Sequence, residues 1–187
     1  MATDKPIISL FSGAMGLDLG LESAQNGIRT AVALEINPIA VKTIKLNKPK
    51  LPVFNSSIES VSTAELLKAA SLKRGEAFAV IGGPCCQSFS TAGKRESLSD
   101  PERGGLFRHF TRVVCETRPR FFLMENVKGI LSAAIRHRTL NKRGPGWPAL
   151  SPDEEFGSAL RVIRDELAQL NYHVIFGLFN CADYGVP

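Results

Sequence analysis

Short apolar runs alternate with amphipathic stretches along this chain, and the alternation predicts its elements. Residues 7–11 form an apolar run that ends in the glycine turn Ser12-Gly13-Ala14-Met15-Gly16. Leu17 and Leu21 then share one helical face. Residues 30–36 predict a second strand, rich in Ala and Val. Asn37-Pro38 supplies a helix cap with proline at the first helical position, and that helix runs to about Leu46. Val53-Phe54 predicts a third, short strand. Ser62 and Glu65 have capping-box spacing and open a helix through Leu66, Leu67 and Ala70. Residues 77–81 predict a fourth strand and residues 106–117 a helix. Residues 120–125 are almost continuously apolar, as in a strand buried on both faces. Residues 132–151 are rich in Pro, Gly and basic side chains without periodicity, which predicts a surface loop. Ser151-Pro152-Asp153-Glu154 reads as cap, first-turn proline and capping acid. Phe156, Leu160, Ile163, Leu167 and Leu170 follow at spacings of four and three, predicting one amphipathic helix from there. Residues 172–178 predict a further strand.

Strands alternating with helices mean βαβ units, hence an α/β fold with a doubly wound, mainly parallel sheet. The 187 residues suffice for one such domain, and 44% hydrophobic with 22% charged residues describes a globular chain. No apolar run reaches the length of a membrane span, and the opening residues lack the pattern of a secretory signal. The expectation is a cytoplasmic protein without a membrane partner. Four cysteines without a C-x-x-C pair, and three scattered histidines, argue against a disulfide framework and against a bound metal. The net charge of +5 is compatible with a polyanionic partner, and part of the excess is local, at Arg136, Arg138, Lys142 and Arg143.

Four constellations carry chemistry. The turn Phe11-Ser12-Gly13-Ala14-Met15-Gly16 has Glu35 about twenty residues on, at the end of the second strand. Glycines let the backbone approach a ligand, a helix N-terminus offers free N–H donors, and an acid at that strand end can accept ribose hydroxyls. A plain β–α turn beside an exposed Glu is the blander reading. The second is Gly82-Gly83-Pro84-Cys85-Cys86-Gln87-Ser88-Phe89-Ser90, directly after the fourth strand. Its thiols are either two small buried residues or a nucleophile on a rigid platform, and the Gly/Pro flanks favour the platform. The third is Glu125-Asn126-Val127 at the end of the fifth strand, where acid and amide can read a nucleobase edge or simply cap the next turn. The fourth is the polar stretch with Lys94, Arg95, Asp100, Arg103 and Arg108. It is either a solvated loop or one that closes over phosphates.

At these residues the sequence resembles the cytosine-5 DNA methyltransferase family over nearly its whole length. Residues 10–17 resemble the motif that binds S-adenosyl-L-methionine, and Glu35 the ribose-binding acid. Residues 82–90 resemble the Pro-Cys-Gln motif, residues 100–106 the Asp-x-Arg-Gly motif, and Glu125-Asn126-Val127 the Glu-Asn-Val motif. Residues 171–187 resemble the approach to Gln-x-Arg-x-Arg. The resemblance implies a Rossmann-like fold of the S-adenosylmethionine-dependent type. It implies methyl transfer to carbon 5 of a flipped cytosine in double-stranded DNA, in a restriction-modification system, with S-adenosyl-L-homocysteine as product. It implies catalytic roles for Cys86, Glu125, Asn126 and Arg103. It implies cofactor contacts at Phe11, Ser12, Gly13, Ala14, Met15, Gly16, Leu17, Glu35, Ile36, Ser57, Ile58, Cys85 and Leu106. It implies DNA contacts at Gln87, Ser88, Ser90, Lys94, Arg95 and Val127.

Three departures stand out: Met15 replaces a glycine, Ser57 an acid that holds the adenine amine, and Cys85 the proline before the nucleophile. The chain is expected to be the partial catalytic domain, residues 1–187, of such an enzyme. Its target-recognition domain is expected to lie elsewhere, downstream or on a second chain, and the isolated chain is expected to be inactive. A tRNA cytosine-5 methyltransferase of the same family and a truncated, non-catalytic binding module are the alternatives.

Overall fold

The computed structural model describes residues 4–24, 27–84, 104–136 and 138–186. Five strands form one sheet: β1 (Lys5–Leu10), β2 (Ile28–Leu34), β3 (Val53–Phe54), β4 (Ala79–Gly82) and β5 (Phe121–Met124). Their order is β3-β2-β1-β4-β5, and every neighbouring pair is parallel. The chain winds outward from β1 in one direction and then, through β4, in the other. The point of reversal lies between β1 and β4, where doubly wound sheets open a crevice at their carboxyl ends.

The helices are α1 (Gly16–Ala24), α2 (Pro38–Asn47), α3 (Thr63–Ala70), α4 (Gly104–Thr117) and α5 (Ser158–Ala168). The predicted caps form. Asn37 accepts from the N–H groups of Ile39 and Ala40, and Ser62 and Glu65 complete a reciprocal capping box. Alternate strand residues divide the core. Ile8, Leu10, Val32, Leu34 and Val80 pack with Leu66 of α3 and Phe110, Val113 and Val114 of α4. Ile7, Ala79 and Ile81 face the other way, onto Leu17 and Leu21 of α1. A second cluster joins Ala159, Ile163 and Leu167 of α5 to Phe107 and Ile130.

Three expectations are corrected. Residues 172–178 are not a strand: nothing from 173 to 180 is in regular structure, and Ile175, Phe176, Leu178 and Phe179 are exposed. An apolar run becomes a strand only where a neighbour takes its backbone hydrogen bonds, and no described strand pairs with it. Side chains tie it in instead: Tyr172 stacks edge-on against Phe122 and donates to the Pro119 carbonyl at 2.6 Å, and Val174 packs against the α5 cluster. Second, Ser151 and Glu154 cap a 3₁₀ turn, Pro152–Glu154, rather than the long helix. The helix begins later because Gly157 takes φ +75°, and Phe156 lies outside it. Third, β5 is not buried on both faces. Phe122 and Met124 pack inward, while Phe121 is 51% and Leu123 41% exposed.

Candidate active site

The crevice at the β1/β4 reversal holds a cavity of about 150 Å³. Phe11, Ser12 and Leu17 line one side of it, Gly83 and Glu125 the other. The glycine turn and the Glu-Asn-Val acid, 108 or more residues apart in sequence, therefore face the same small space.

The turn after β1 is built from left-handed residues. Phe11 (φ 54°), Gly13 (φ 52°) and Met15 (φ 69°) alternate with ordinary ones. Only Gly13 adopts that region without strain; for Phe11 and Met15 it costs roughly 1–2 kcal/mol each. Met15 compensates by burying its side chain to 2% exposure. Hydrogen bonds pin the turn. Ser12 N–H donates to Leu34 O at 3.2 Å, and Met15 N–H to Ser12 O at 2.8 Å. Gly13 N–H donates to Glu35 Oε2 at 2.7 Å. Glu35 is itself buried at the end of β2, and its Oε1 accepts from Asn37 N–H at 2.7 Å. The ribose-type acid thus also holds the loop together. Each carboxylate oxygen has two acceptor sites, so capacity remains for a ligand. Beside it Ile36 is largely exposed, and Ala14 and Gly16 are open to solvent.

Ser57 and Ile58 lie in a 3₁₀ turn after β3. Ile58 is buried, and the Ser57 hydroxyl donates to Glu59 at 3.4 Å. Arg112, on α4, clamps this turn. Its guanidinium donates to Ile58 O at 3.0 Å, Val61 O at 3.1 Å and Thr63 Oγ1 at 3.2 Å. Leu106 is half-buried on the same helix, against the core.

Glu125 is exposed at the end of β5, and its N–H donates to Gly82 O at 3.0 Å. A Cβ at Gly83 would lie 3.0 Å from Glu125 Oε2, so a larger residue there would push this carboxylate aside by a few tenths of an ångström. Asn126 makes no hydrogen bond to Glu125. Its Nδ2 instead donates to Pro84 O at 3.3 Å, and its Oδ1 accepts from Val127 N–H at 2.9 Å. Asn126 therefore ties the start of the cysteine loop to the end of β5. Val127 is exposed. Cys85, Cys86, Gln87, Ser88, Ser90, Lys94, Arg95 and Arg103 lie outside the described residues.

Sequence reasoning missed Arg112, and it missed that the basic stretch is occupied. Arg138 donates to both oxygens of Glu154, at 3.1 and 2.5 Å, and to Pro148 O. Arg136 lies 3.5 Å from the same carboxylate, and Arg143 stacks on the Phe156 ring. Three of the four cations are thus engaged within the chain. Arg138 holds the Glu154 carboxyl down to about 2, helped by the Ser151 N–H. The signal was available: an acid at 154 serves these arginines as well as a capping box.

Among the described residues no helix is long and apolar enough to cross a membrane. The chain matches the family described as C-5 cytosine-specific DNA methylase over residues 6–187. It is 41% identical to the Type II methyltransferase M.AquIA of Picosynechococcus over 98% of this chain and 68% of that protein. It is 39% identical to M.SacI of Streptomyces achromogenes over 100% of this chain and 46% of that one. It spans 38% of M.XorII from Xanthomonas oryzae, at 35% identity, so it covers well under half to about two thirds of these relatives. A DNA modification methyltransferase from an E. coli prophage superposes with a TM-score of 0.56 at 33% identity, over 68% of this chain and 33% of that one. With the family's model matched over residues 6–187, the chain belongs to the C-5 cytosine-specific DNA methylase family.

Proposed function

We propose that this chain is the catalytic part of a DNA (cytosine-5-)-methyltransferase that takes its methyl group from S-adenosyl-L-methionine. The observation that carries the reading is the shared cavity, with a cofactor-type glycine turn on one side and Glu125 on the other. The residues fit such a cofactor at the turn. A Cβ added at Gly13 or Gly16 would meet nothing within 4 Å, so the space over the backbone is open. Glu35 keeps acceptor capacity for ribose hydroxyls. The adenine end is less well provided, since Ser57 offers a hydroxyl already directed at Glu59.

When bound, the cofactor supplies an electrophilic methyl group. The chain's residues must then make carbon 5 of cytosine a nucleophile. The Cys86 thiolate adds to carbon 6, and the ring becomes an enamine. Glu125 holds the ring nitrogen and exocyclic amine as charge develops there, and Arg103 lowers the thiol pKa. Asn126 donates to Pro84 O and so holds the backbone just before Cys85 at the end of β5. Carbon 5 takes the methyl, loses its proton to a base, and the carbon–sulfur bond breaks. A stacked cytosine cannot be reached this way, so the base must flip out.

The curated relatives are Type II methyltransferases, which supports a modification role alongside a restriction enzyme. The target-recognition part is supplied by further polypeptide, on the same or a second chain. The exposed Phe121 and Leu123, and a groove of about 500 Å³ beside them, support a covering segment there. Without that part, this chain alone is inactive in the proposed reading.

The test is covalent trapping by the assembled enzyme on a duplex carrying 5-fluorocytosine. Wild type and Cys85→Pro give a denaturation-resistant adduct, and Cys86→Ser gives none. An adduct that survives Cys86→Ser but not Cys85→Ser overturns the assignment, and methylation of tRNA in place of duplex DNA overturns the substrate.

A further inference from the structure

Beneath the glycine turn runs a buried line of polar side chains that neither the catalytic nor the cofactor motifs use. Ser9 sits next to the carboxyl end of β1 among apolar neighbours, Asp18 in the first turn of α1, and Thr30 on β2. Ser9 and Asp18 are each 1% exposed and Thr30 8%. Ser12 Oγ lies 2.8 Å from Ser9 Oγ, which donates to Asp18 Oδ2 at 3.0 Å. Thr30 Oγ1 stands 3.0 Å from Asp18 Oδ1 and 2.9 Å from Glu22 Oε1. Lys48 closes the line with an ion pair to Glu22 at the surface. Ser9 and Asp18 also line the cavity that Glu125 faces.

A buried carboxyl is retained only where its oxygens are satisfied, and two hydroxyls from different strands do that here. Its placement has a directional consequence. Ser12 lies between two left-handed residues, Phe11 and Gly13. Strained backbone of that kind persists only where its surroundings over-determine it. Glu35 fixes Gly13 from one side. Ser9, held by Asp18, fixes the Ser12 hydroxyl from below. We infer that Asp18 is a positioning residue for the cofactor turn, acting through Ser9 on Ser12 and setting the affinity for S-adenosyl ligands. This rests on the proposed cofactor reading.

The line predicts which cuts matter. Ser9→Ala removes the 2.8 Å hydroxyl link to Ser12, leaves the Ser12 hydroxyl only its longer reach to Ser9 O at 3.3 Å and Leu34 O at 3.4 Å, and leaves Asp18 with Thr30. Thr30→Val cuts the far end and leaves the link to Ser12 intact. Asp18→Asn keeps the shape, with its Oδ1 accepting from Ser9 and its Nδ2 donating to Thr30. Binding of S-adenosyl-L-homocysteine is measured by calorimetry on the purified chain, with thermal unfolding of each variant recorded alongside. Ser9→Ala and Asp18→Ala weaken binding about three- to tenfold, the loss of one hydrogen bond. Their double variant binds no worse than Asp18→Ala alone. Asp18→Asn recovers most of the affinity, and Thr30→Val stays within about twofold of wild type while losing stability. Wild-type affinity in a folded Ser9→Ala protein overturns the inference, as does an equal loss in Thr30→Val. If the wild-type chain itself takes up no ligand, the cofactor reading fails, and the inference with it.

Discussion

Adding one methyl group at Gly82 tests how closely β1 and β4 must approach to form the crevice. Gly82 pairs with Leu10 at the carboxyl end of the two strands. A Cβ built there lies 2.4 Å from Leu10 O, 3.1 Å from Leu10 C and 3.2 Å from Leu10 Cβ. The first obstacle is backbone, so no rotamer change relieves it. To restore ordinary contact the strand ends must part by about an ångström. That strains the ladder where Ser12 and Glu125 are positioned and forces an overpacked core, a class of change that costs about 1–3 kcal/mol and occasionally more. We place Gly82→Ala at the top of that range, about 3 kcal/mol, because the clash is with the Leu10 main chain. In a chain of this size that corresponds to a midpoint lowered by about 6–12 °C. Gly20→Ala supplies the opposite sign. Gly20 lies inside α1 on its exposed side, and a Cβ there meets nothing within 4 Å. Alanine should stabilise by about 0.5–1 kcal/mol through helix propensity and a less free unfolded chain. Urea denaturation reads both, as a shift in midpoint at unchanged slope. A Gly82→Ala protein within about 0.5 kcal/mol of wild type refutes the close approach as described, because surface-like tolerance of that order belongs to sites without such contacts.

Two carboxyls should give the chain opposite pH dependences. Glu154 is held down to about 2 by the Arg138 guanidinium, below its ordinary 4.5. The unfolded chain therefore takes up that proton first as the medium is acidified. The stabilisation is complete above about pH 4.5 and is lost as pH falls toward 2; Glu154→Gln should abolish this part of the acid sensitivity in a pH series of unfolding midpoints. Asp18 is pushed up from its ordinary value by burial, against the hydrogen bonds from Ser9 and Thr30 and with the help of the nearby Glu22 charge. Here the folded chain holds the proton longer than the unfolded one. Its contribution is full below about pH 3.8 and declines as pH rises through the raised value. Asp18→Asn should therefore gain stability on wild type between acid and neutral pH, and a difference that shrinks over that interval contradicts the sign.

What the sequence made legible was local. Asn37-Pro38, Ser62 with Glu65, and the 7–11 and 77–81 runs carry their instructions within a few residues, and they appear within about two residues of where they were expected. The glycine turn, Glu35 and Glu125 were legible as motifs, but not their meeting at one cavity, which follows from strand order rather than from any segment. The misses share a cause. Apolar periodicity says which face of an element seeks cover and not what covers it. Residues 173–180 have the composition of a strand and no strand beside them among those described. Arg138 has the composition of a polyanion contact, yet it is spent on Glu154.

The glycine turn shows how the two levels combine. Its sequence lacks a glycine at 15, which read alone weakens the case for a ligand-binding loop. The fold keeps the left-handed conformation there regardless, with Met15 at φ 69° and its side chain sealed in the core. Strain at Phe11 and Met15 is then sustained by contacts from three separate strands: Leu34 and Glu35 at the end of β2, Ser9 on β1, and, through Asp18, Thr30 at the start of β2 and Gly82 where β4 presses on Leu10. The loop's shape is therefore a property of the β2-β1-β4 sheet end as a whole. A substitution that leaves every motif residue in place, such as Ser9→Ala or Gly82→Ala, should therefore perturb the turn from outside it.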